Sequence, residues 1–252
     1  MASIFRSFAT VLLSAAALAG ASAFSGEFAV QPVRLDLGPS VRSGAIAVRN
    51  EGKEKLSFQI QAVAWSQDQS GKDQYQDTQD LIYFPRLLSV EPGEEGVIRI
   101  GARNTVLQVE KTYRVFIEEL PGNLQQGEKG TAQVSVLMRF GAPVFMSPVK
   151  PQDSIVIGSI LLSKGALTFS AHNTGNRHQV LGGIDVKGAD ATGSQVYATT
   201  LADRYLLAGA TKSFSTNIAA EQCGRIKSIV IDVKTDKAGA SRTIDVTPAM
   251  CP

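Results

Sequence analysis

The sequence contains few of the side chains that most often carry catalysis or bind metals. Its 252 residues include two histidines, two cysteines and one tryptophan. The histidines, His172 and His178, lie on either side of NTGN at 173–176, with no Asp or Glu close to them in the sequence. A metal site needs several ligands that converge on one point. We therefore interpret both histidines as turn-flanking residues and predict neither a metal site nor a cofactor.

Sequence motifs of the common enzyme classes are also absent. The chain has no G-x-S-x-G, no H-E-x-x-H and no G-x-x-x-x-G-K segment, which are the signatures of hydrolase nucleophiles, zinc peptidases and phosphate-binding loops. Glu118 and Glu119 are adjacent on a predicted strand, so their carboxylates point to opposite faces and cannot share one substrate. The only tryptophan, Trp65, is predicted to pack in a core rather than to bind a sugar. The sequence therefore predicts a protein that is not an enzyme.

A long apolar run occurs only at the start of the chain. Residues 1–23 contain one basic residue, Arg6, then a run rich in Ala and Leu, then Ala21-Ser22-Ala23. This is the layout of a secretory signal peptide, and the run is shorter than the roughly 20 residues of a membrane anchor, which is the competing interpretation. We predict an exported protein, and export favours a disulfide between Cys223 and Cys251 over a pair of unbonded thiols.

An excess of charge of either sign is missing as well. The chain has 25 basic and 23 acidic residues, and loss of the predicted leader with Arg6 leaves 24 and 23, a net charge of +1. A nearly neutral chain has no overall field that would attract nucleic acid or a membrane surface. We predict no nucleic acid partner, and any basic site must be local.

Helical periodicity is absent, whereas short alternating strands recur along the whole chain. The patterns predict strands from residue 28 to 145 and again from 154 to 247, with turn residues between them. Two prolines in the segment 146–151 interrupt this pattern. We therefore predict an all-β protein of two immunoglobulin-like β-sandwich domains, with a signal peptide at 1–23, an N-terminal domain at 24–147 and a C-terminal domain at 148–252.

One predicted strand, within residues 131–148, is apolar on both faces. Alternation places one row of side chains on one face and Leu137, with its neighbours, on the other. The first row is Ala132, Val134, Val136 and Met138. Such a strand is either the central strand of a two-layer sandwich or a strand that presents one row to a partner, and periodicity alone does not choose between them.

Five segments in order are similar to a known family. They are QPVRL at 31–35, RLLSVEPG at 86–93, VIRI at 97–100, YRVFIEELP at 113–121 and PVF at 143–145. With them the chain resembles the periplasmic chaperones of chaperone–usher pilus assembly, as a divergent branch. The second half matches more loosely, through NTGN at 173–176, YLLAG at 205–209 and the cysteine pair.

The resemblance implies two immunoglobulin-like domains in an L shape that hold a pilin subunit lacking its last strand. The chaperone lends an edge strand to the subunit, a mode of recognition known as donor-strand complementation. The donor strand would be the row Ala132, Val134, Val136 and Met138, and Leu137 would pack in the chaperone's own core. The implied partners are pilin subunits, an outer-membrane usher and, for the free chaperone, copies of itself that hide the apolar edge. The implied localisation is the periplasm.

Chaperones of this family also hold the carboxylate at the subunit's C-terminus with basic residues between the two domains. Arg34 matches the first of these residues. The chain departs from the family at the second, because Pro143 stands where a lysine is expected. A proline cannot bind a carboxylate, so we expect another cation to replace the lysine, with Arg114 the first choice and Arg139 the second.

Two other classes of protein remain as alternatives. A two-domain adhesin or structural pilus subunit would also be exported and all-β, but it would need an N-terminal extension of alternating apolar residues, and residues 24–28 are too few for one. An exported hydrolase would need a catalytic constellation that the sequence does not show.

Overall fold

The computed structural model describes residues 28–68, 70–122 and 136–252. The predicted signal peptide and two members of the predicted donor row, Ala132 and Val134, lie outside the described residues. Within them the chain is almost entirely β-structure and forms two immunoglobulin-like sandwiches, which confirms the predicted fold class. No helix in this part of the chain is long and apolar enough to cross a membrane.

In the described part of the chain, the first sandwich is built from ten strands in two sheets. One sheet has the order β1-β3-β8-β6, and the other has the order β2-β10-β9-β4-β5, with β7 paired to the same strand β4. The strands are β1 (Phe28–Gln31), β2 (Leu35–Leu37), β3 (Ser43–Asn50), β4 (Leu56–Gln67), β5 (Asp73–Asp77), β6 (Leu81–Phe84), β7 (Leu87–Val90), β8 (Glu95–Ala102), β9 (Lys111–Glu119) and β10 (Arg139–Met146).

Alternation in the sequence explains the core of this sandwich. Ile46 and Val48 in β3 lie with Ile98 of the neighbouring strand β8 in the interior, and all three are fully buried. The turn between β7 and β8 follows from Pro92 and Gly93, since Gly93 adopts a φ of +77° that favours glycine. Next to it, the Glu94 N–H closes the turn by donating to the Glu91 carbonyl at 3.1 Å.

The second sandwich contains eight strands and two single-turn helices. A sheet of order β11-β12-β16 packs against one of order β14-β13-β17-β18, and β15 pairs with the same strand β13. The elements are β11 (Ile155–Ser163), β12 (Ala166–Asn173), β13 (Gln179–Ala189), β14 (Gln195–Leu201), β15 (Tyr205–Leu206), β16 (Thr211–Asn217), α1 (Ala220–Cys223), β17 (Ser228–Thr235), β18 (Gly239–Asp245) and a 3₁₀ helix (Pro248–Met250).

The two short helices carry the disulfide of the second sandwich. Cys223 ends α1 and Cys251 follows the 3₁₀ helix, and the two residues are bonded with a Cα–Cα distance of 5.6 Å. The structure thus contains the predicted bridge. Helix α1 was not predicted, because four residues are too few to show a 3.6-residue period.

The stretch 28–37 does not form one continuous strand. It forms two strands that belong to opposite sheets, with β1 paired to β3 and β2 paired to β10. Pro32 lies between them and has no N–H to donate to a ladder, so it interrupts the strand where the chain crosses from one sheet to the other. This crossing places Arg34 at the start of β2.

Candidate functional site

Strand β10 has a free edge over part of its length. On one side it pairs with β9 along all eight residues, from Arg139 to Met146. On the other side it pairs with β2 only at its last three residues, where Val144 lies beside Leu35 in parallel register. Within the described residues, no strand pairs with this side between Arg139 and Pro143. A partner strand can add to such an edge.

Two hydrogen bonds show which main-chain groups face this free edge. The Glu119 N–H of β9 donates to the Met138 carbonyl at 2.9 Å, and the Ser147 N–H donates to the Leu37 carbonyl at the end of β2, also at 2.9 Å. Main-chain groups alternate in direction along a strand. Even-numbered residues of β10 therefore bond to β9, whereas Arg139, Gly141 and Pro143 face the free edge.

The residues just before β10 expose apolar side chains in both directions. Val136 and Met138, two members of the predicted donor row, are 50% and 43% exposed. Leu137 is 45% exposed, so the prediction that it packs in the sandwich core is wrong. The reason is its position: Leu137 precedes the first residue of β10 and lies past Glu119, where β9 ends, so it is outside the paired part of the sheet that forms the sandwich.

Arg34 lies where the free edge begins. It immediately precedes Leu35, the residue that pairs with Val144 at the start of the parallel register. Its Nε donates to Asp36 at 2.8 Å, its side chain is 39% exposed, and its guanidinium carbon is 5.5 Å from the centre of the Phe145 ring. Its two terminal nitrogens have no hydrogen-bond partner among the described residues, so they are available to an anion.

Arg114 and Arg139, the other two candidates, already have partners. The Arg114 side chain is 16% exposed and lies 3.9 Å from the centre of the Trp65 ring. Its Nη1 donates to the Gly141 carbonyl at 3.1 Å, whereas Asp73 is 4.0 Å away. Arg139 lies over the Phe116 ring and forms an exposed ion pair with Glu118 at 3.3 Å. Arg34 and Arg139 thus each contact one carboxylate of the chain through Nε, whereas Arg114 is held by Trp65 and Gly141.

Gly141 allows two side chains of β9 to lie across β10. A Cβ atom at this position would be 3.0 Å from Cε1 of Phe116 and 4.0 Å from Cδ of Arg114. The first distance is too short for an unstrained contact, so a larger residue here would displace the Phe116 ring. The glycine thus leaves room for the Phe116 ring, whereas the Arg114 side chain lies at an ordinary contact distance.

An aromatic cluster joins this region to the second sandwich. Phe145 at the end of β10 stacks on the His178 ring with 3.6 Å between ring centres, and Tyr205 lies 5.5 Å from Phe145. Trp65 lies 5.6 Å from Tyr205 and is 3% exposed, which confirms the prediction that it is a core residue. The cluster fixes the end of β10 against residues of the second half.

A buried hydrogen-bonded pair, Glu110 and His178, lies in the same interface. Oε2 of Glu110 accepts the His178 backbone N–H and contacts its ring Nδ1, both at 2.7 Å. The Glu110 side chain is fully buried and that of His178 is 4% exposed. Lys237 Nζ donates to the His178 carbonyl at 2.7 Å. Sequence analysis missed this pair, because Glu110 and His178 are 68 residues apart and only the packing of the two halves brings them together.

Comparison with protein families gives a match over the region just described. Residues 27–152 match the model of pili and flagellar-assembly chaperones, PapD N-terminal domain. No curated protein matches the chain. The matched range includes the free edge of β10, Arg34 and the row that contains Val136 and Met138.

Solved structures with a similar fold cover both halves of the chain. One is the CsuC–CsuE chaperone–tip adhesion subunit pre-assembly complex from archaic chaperone-usher Csu pili of Acinetobacter baumannii, at 20% identity and a TM-score of 0.57, covering 86% of this chain and 98% of that chain. Another is the class 5 fimbriae chaperone CfaA, at 17% identity and a TM-score of 0.56, with the same coverage. A third is the Salmonella enterica SafA pilin in complex with the SafB chaperone, at 11% identity and a TM-score of 0.56, covering 87% and 97%.

Proposed function

The chain belongs to the family of pili and flagellar-assembly chaperones, and from this premise we propose that it is a periplasmic chaperone for pilin subunits. In this proposal it binds a subunit by donor-strand complementation, lends it β10 and the preceding residues as the missing strand, and delivers it to an outer-membrane usher. The role requires no catalysis. The observation that carries the proposal is the free edge of β10 with exposed Val136 and Met138 beside it.

The exposed row supplies a driving force for binding. Burial of a large apolar side chain stabilises by roughly 1.5–3 kcal/mol. Val136 and Met138 are each about half exposed, so complete burial of the pair would contribute about 1.5–3 kcal/mol before the costs of association. In the proposed complex Ala132 and Val134 continue the same row.

The main-chain edge supplies recognition that does not depend on the subunit's side chains. Each strand-to-strand hydrogen bond contributes about 1 kcal/mol net, whatever residue the partner strand carries. An edge of this kind can therefore serve several different subunits. Selectivity then depends on the fit of the apolar row and on the charge at one end of the edge.

Arg34 supplies that charge. It lies at the end of the free edge, and its terminal nitrogens are available. A guanidinium group binds both oxygens of a carboxylate, so in this proposal Arg34 is the anchor for the subunit's C-terminal carboxylate. Arg114 and Arg139 flank the edge as secondary candidates, each held by partners of the chain itself.

Co-expression with a pilin subunit in the periplasm tests the proposal. The wild-type chain should be purified with the subunit in a one-to-one complex, identified by native mass spectrometry. Val136→Asp with Met138→Asp should abolish the complex, because charged side chains cannot enter an apolar groove. The matched control is Leu161→Asp in β11 of the second sandwich, which is 61% exposed and pairs with β12 rather than with β10; its complex should be intact.

Arg34→Glu tests the anchor in the same assay. The recovery of the complex should fall at least about tenfold, because the reversed charge repels the subunit's carboxylate. Arg49→Glu in β3 changes the charge of an exposed residue in the opposite sheet and should leave the recovery unchanged. Equal recovery of the Arg34 and Arg49 variants would contradict the anchor assignment, and full recovery of the Val136/Met138 variant would contradict the donor row.

A further inference from the structure

The free edge of β10 ends abruptly, as its main-chain groups show. The groups that face this edge belong to Arg139, Gly141 and Pro143, by the alternation established above. Arg139 offers both its N–H and its carbonyl. Gly141 offers its N–H, but its carbonyl already accepts a hydrogen bond from Arg114 Nη1 at 3.1 Å.

Pro143 offers neither group to a partner strand. A proline has no N–H. Its carbonyl faces β2. Leu35 of β2 lies beside Val144 in parallel register, and in this geometry the Leu35 N–H points to the carbonyl of the residue before Val144, which is Pro143. Prolines within sheets occur at edge positions, where no ladder bond is lost, and Pro143 fits this rule because its missing N–H would face away from β9. The last free group before β2 is therefore the Gly141 N–H.

From this arrangement we propose that Pro143, together with the bond from Arg114 to Gly141, sets the register in which a guest strand pairs with β10. A guest strand here means the strand of a bound pilin subunit that lies along the free edge. The hydrogen-bond ladder ends at the Gly141 N–H. The inference rests on the proposed function, since it requires a guest strand on this edge. Pro143 stands where the family pattern has a lysine, and in this proposal it is a specificity-determining residue.

A guest strand that moved further toward β2 would place a carbonyl opposite a nitrogen that cannot donate. An unpaired buried carbonyl disfavours that register about fivefold or more. The stop also determines where the guest's end lies. A ladder that ends at Gly141 stops two residues before Pro143, which is about 6.6 Å along the strand. The last residue of the guest strand then lies about the length of one arginine side chain from Arg34.

Hydrogen exchange on the Pro143→Ala variant tests the proposal, since this substitution creates a reporter N–H at the stop. The experiment measures single-residue amide exchange of the variant, alone and in its purified one-to-one complex with a co-expressed pilin subunit. In the free variant, the Gly141 amide and the new amide at position 143 should both exchange rapidly. The Ala142 amide should be protected in both states, because it bonds to Val115 of β9, and it serves as the internal control.

In the complex, exchange at Gly141 should slow by about 100-fold and exchange at the new amide by at least about tenfold, as the ladder extends by one bond. Slowing at Gly141 without slowing at the new amide would overturn the proposal, because the ladder would then end for a reason other than the missing N–H. No slowing at Gly141 would show that the guest does not pair with this edge, which would contradict donor-strand binding itself. The two failures are therefore distinguishable.

Discussion

The buried pair of Glu110 and His178 should contribute more to the stability of this protein than its exposed ion pairs. Oε2 of Glu110 receives the backbone N–H of His178 and contacts its ring Nδ1, both at 2.7 Å. Glu110→Ala removes the acceptor and leaves the backbone N–H buried without a partner. A buried polar group left without a partner costs about 1–3 kcal/mol, and two such groups lose their acceptor here, so we expect the free energy of unfolding to fall by about 2–6 kcal/mol.

Two further variants separate the charge from the hydrogen bonds. Glu110→Gln keeps an acceptor oxygen for the backbone N–H and should cost about half as much as alanine, roughly 2 kcal/mol. The matched control is Glu91→Gln, which breaks the pair with Lys55. That pair has an N–O distance of 2.6 Å, but its side chains are 55% and 60% exposed. Exposed pairs contribute at most about 1 kcal/mol.

Tryptophan fluorescence during urea unfolding measures the effect at the interface itself. Trp65 is the only tryptophan, it is 3% exposed, and it lies in the aromatic cluster that joins the two sandwiches. Circular dichroism of the strands provides a second signal for the whole molecule. In Glu110→Ala the fluorescence transition should move to lower urea and precede the circular dichroism transition. A shift no larger than that of Glu91→Gln would refute the reasoning.

Two other predictions concern acid and the disulfide. Asp80 accepts hydrogen bonds from Lys111 and Tyr113 at 2.9 and 2.8 Å, and these lower its pKa, so its contribution is complete at neutral pH and is lost as the pH falls below about 4. Urea unfolding should show Asp80→Asn less stable than wild type at pH 7 with the gap closing in acid, and a gap that is constant with pH would contradict this. Cys223→Ser with Cys251→Ser opens a loop between residues 28 apart and should destabilise the second sandwich by about 3–4 kcal/mol. Calorimetry should show a lower Tm for the second sandwich, and an unchanged thermogram would argue against the loop-entropy estimate.

The general architecture could be predicted from the sequence because it depends on local patterns. Alternation of apolar side chains predicts strands, and the Pro92-Gly93 turn follows from the preferred φ angles of those two residues. The cysteine pair follows from the export signal. Each of these features needs only a few neighbouring residues, so a single sequence contains the information.

Features that depend on contacts between distant strands could not be predicted in the same way. Alternation shows that Leu137 faces away from Val136 and Met138, but it does not show that the paired part of the sheet begins only at Arg139, so that Leu137 lies outside the sandwich and is exposed. Arg114 was selected for its charge, and only its position over Trp65 shows that its guanidinium group is already engaged. These features depend on the register of paired strands, which alternation alone does not fix.

The free edge also creates a hazard for the chain when no guest is bound. An exposed edge beside Val136, Leu137 and Met138 could pair with a second copy, and proteins limit such pairing with charges and prolines. Arg139 and Pro143 stand at the two ends of the free part of β10, so Pro143, which would set a guest's register, also shortens the edge available to another copy. The missing N–H costs the free protein nothing, because it would face away from β9. A residue that is unfavourable inside a sheet is thus suited to the one edge position where a partner strand has to stop.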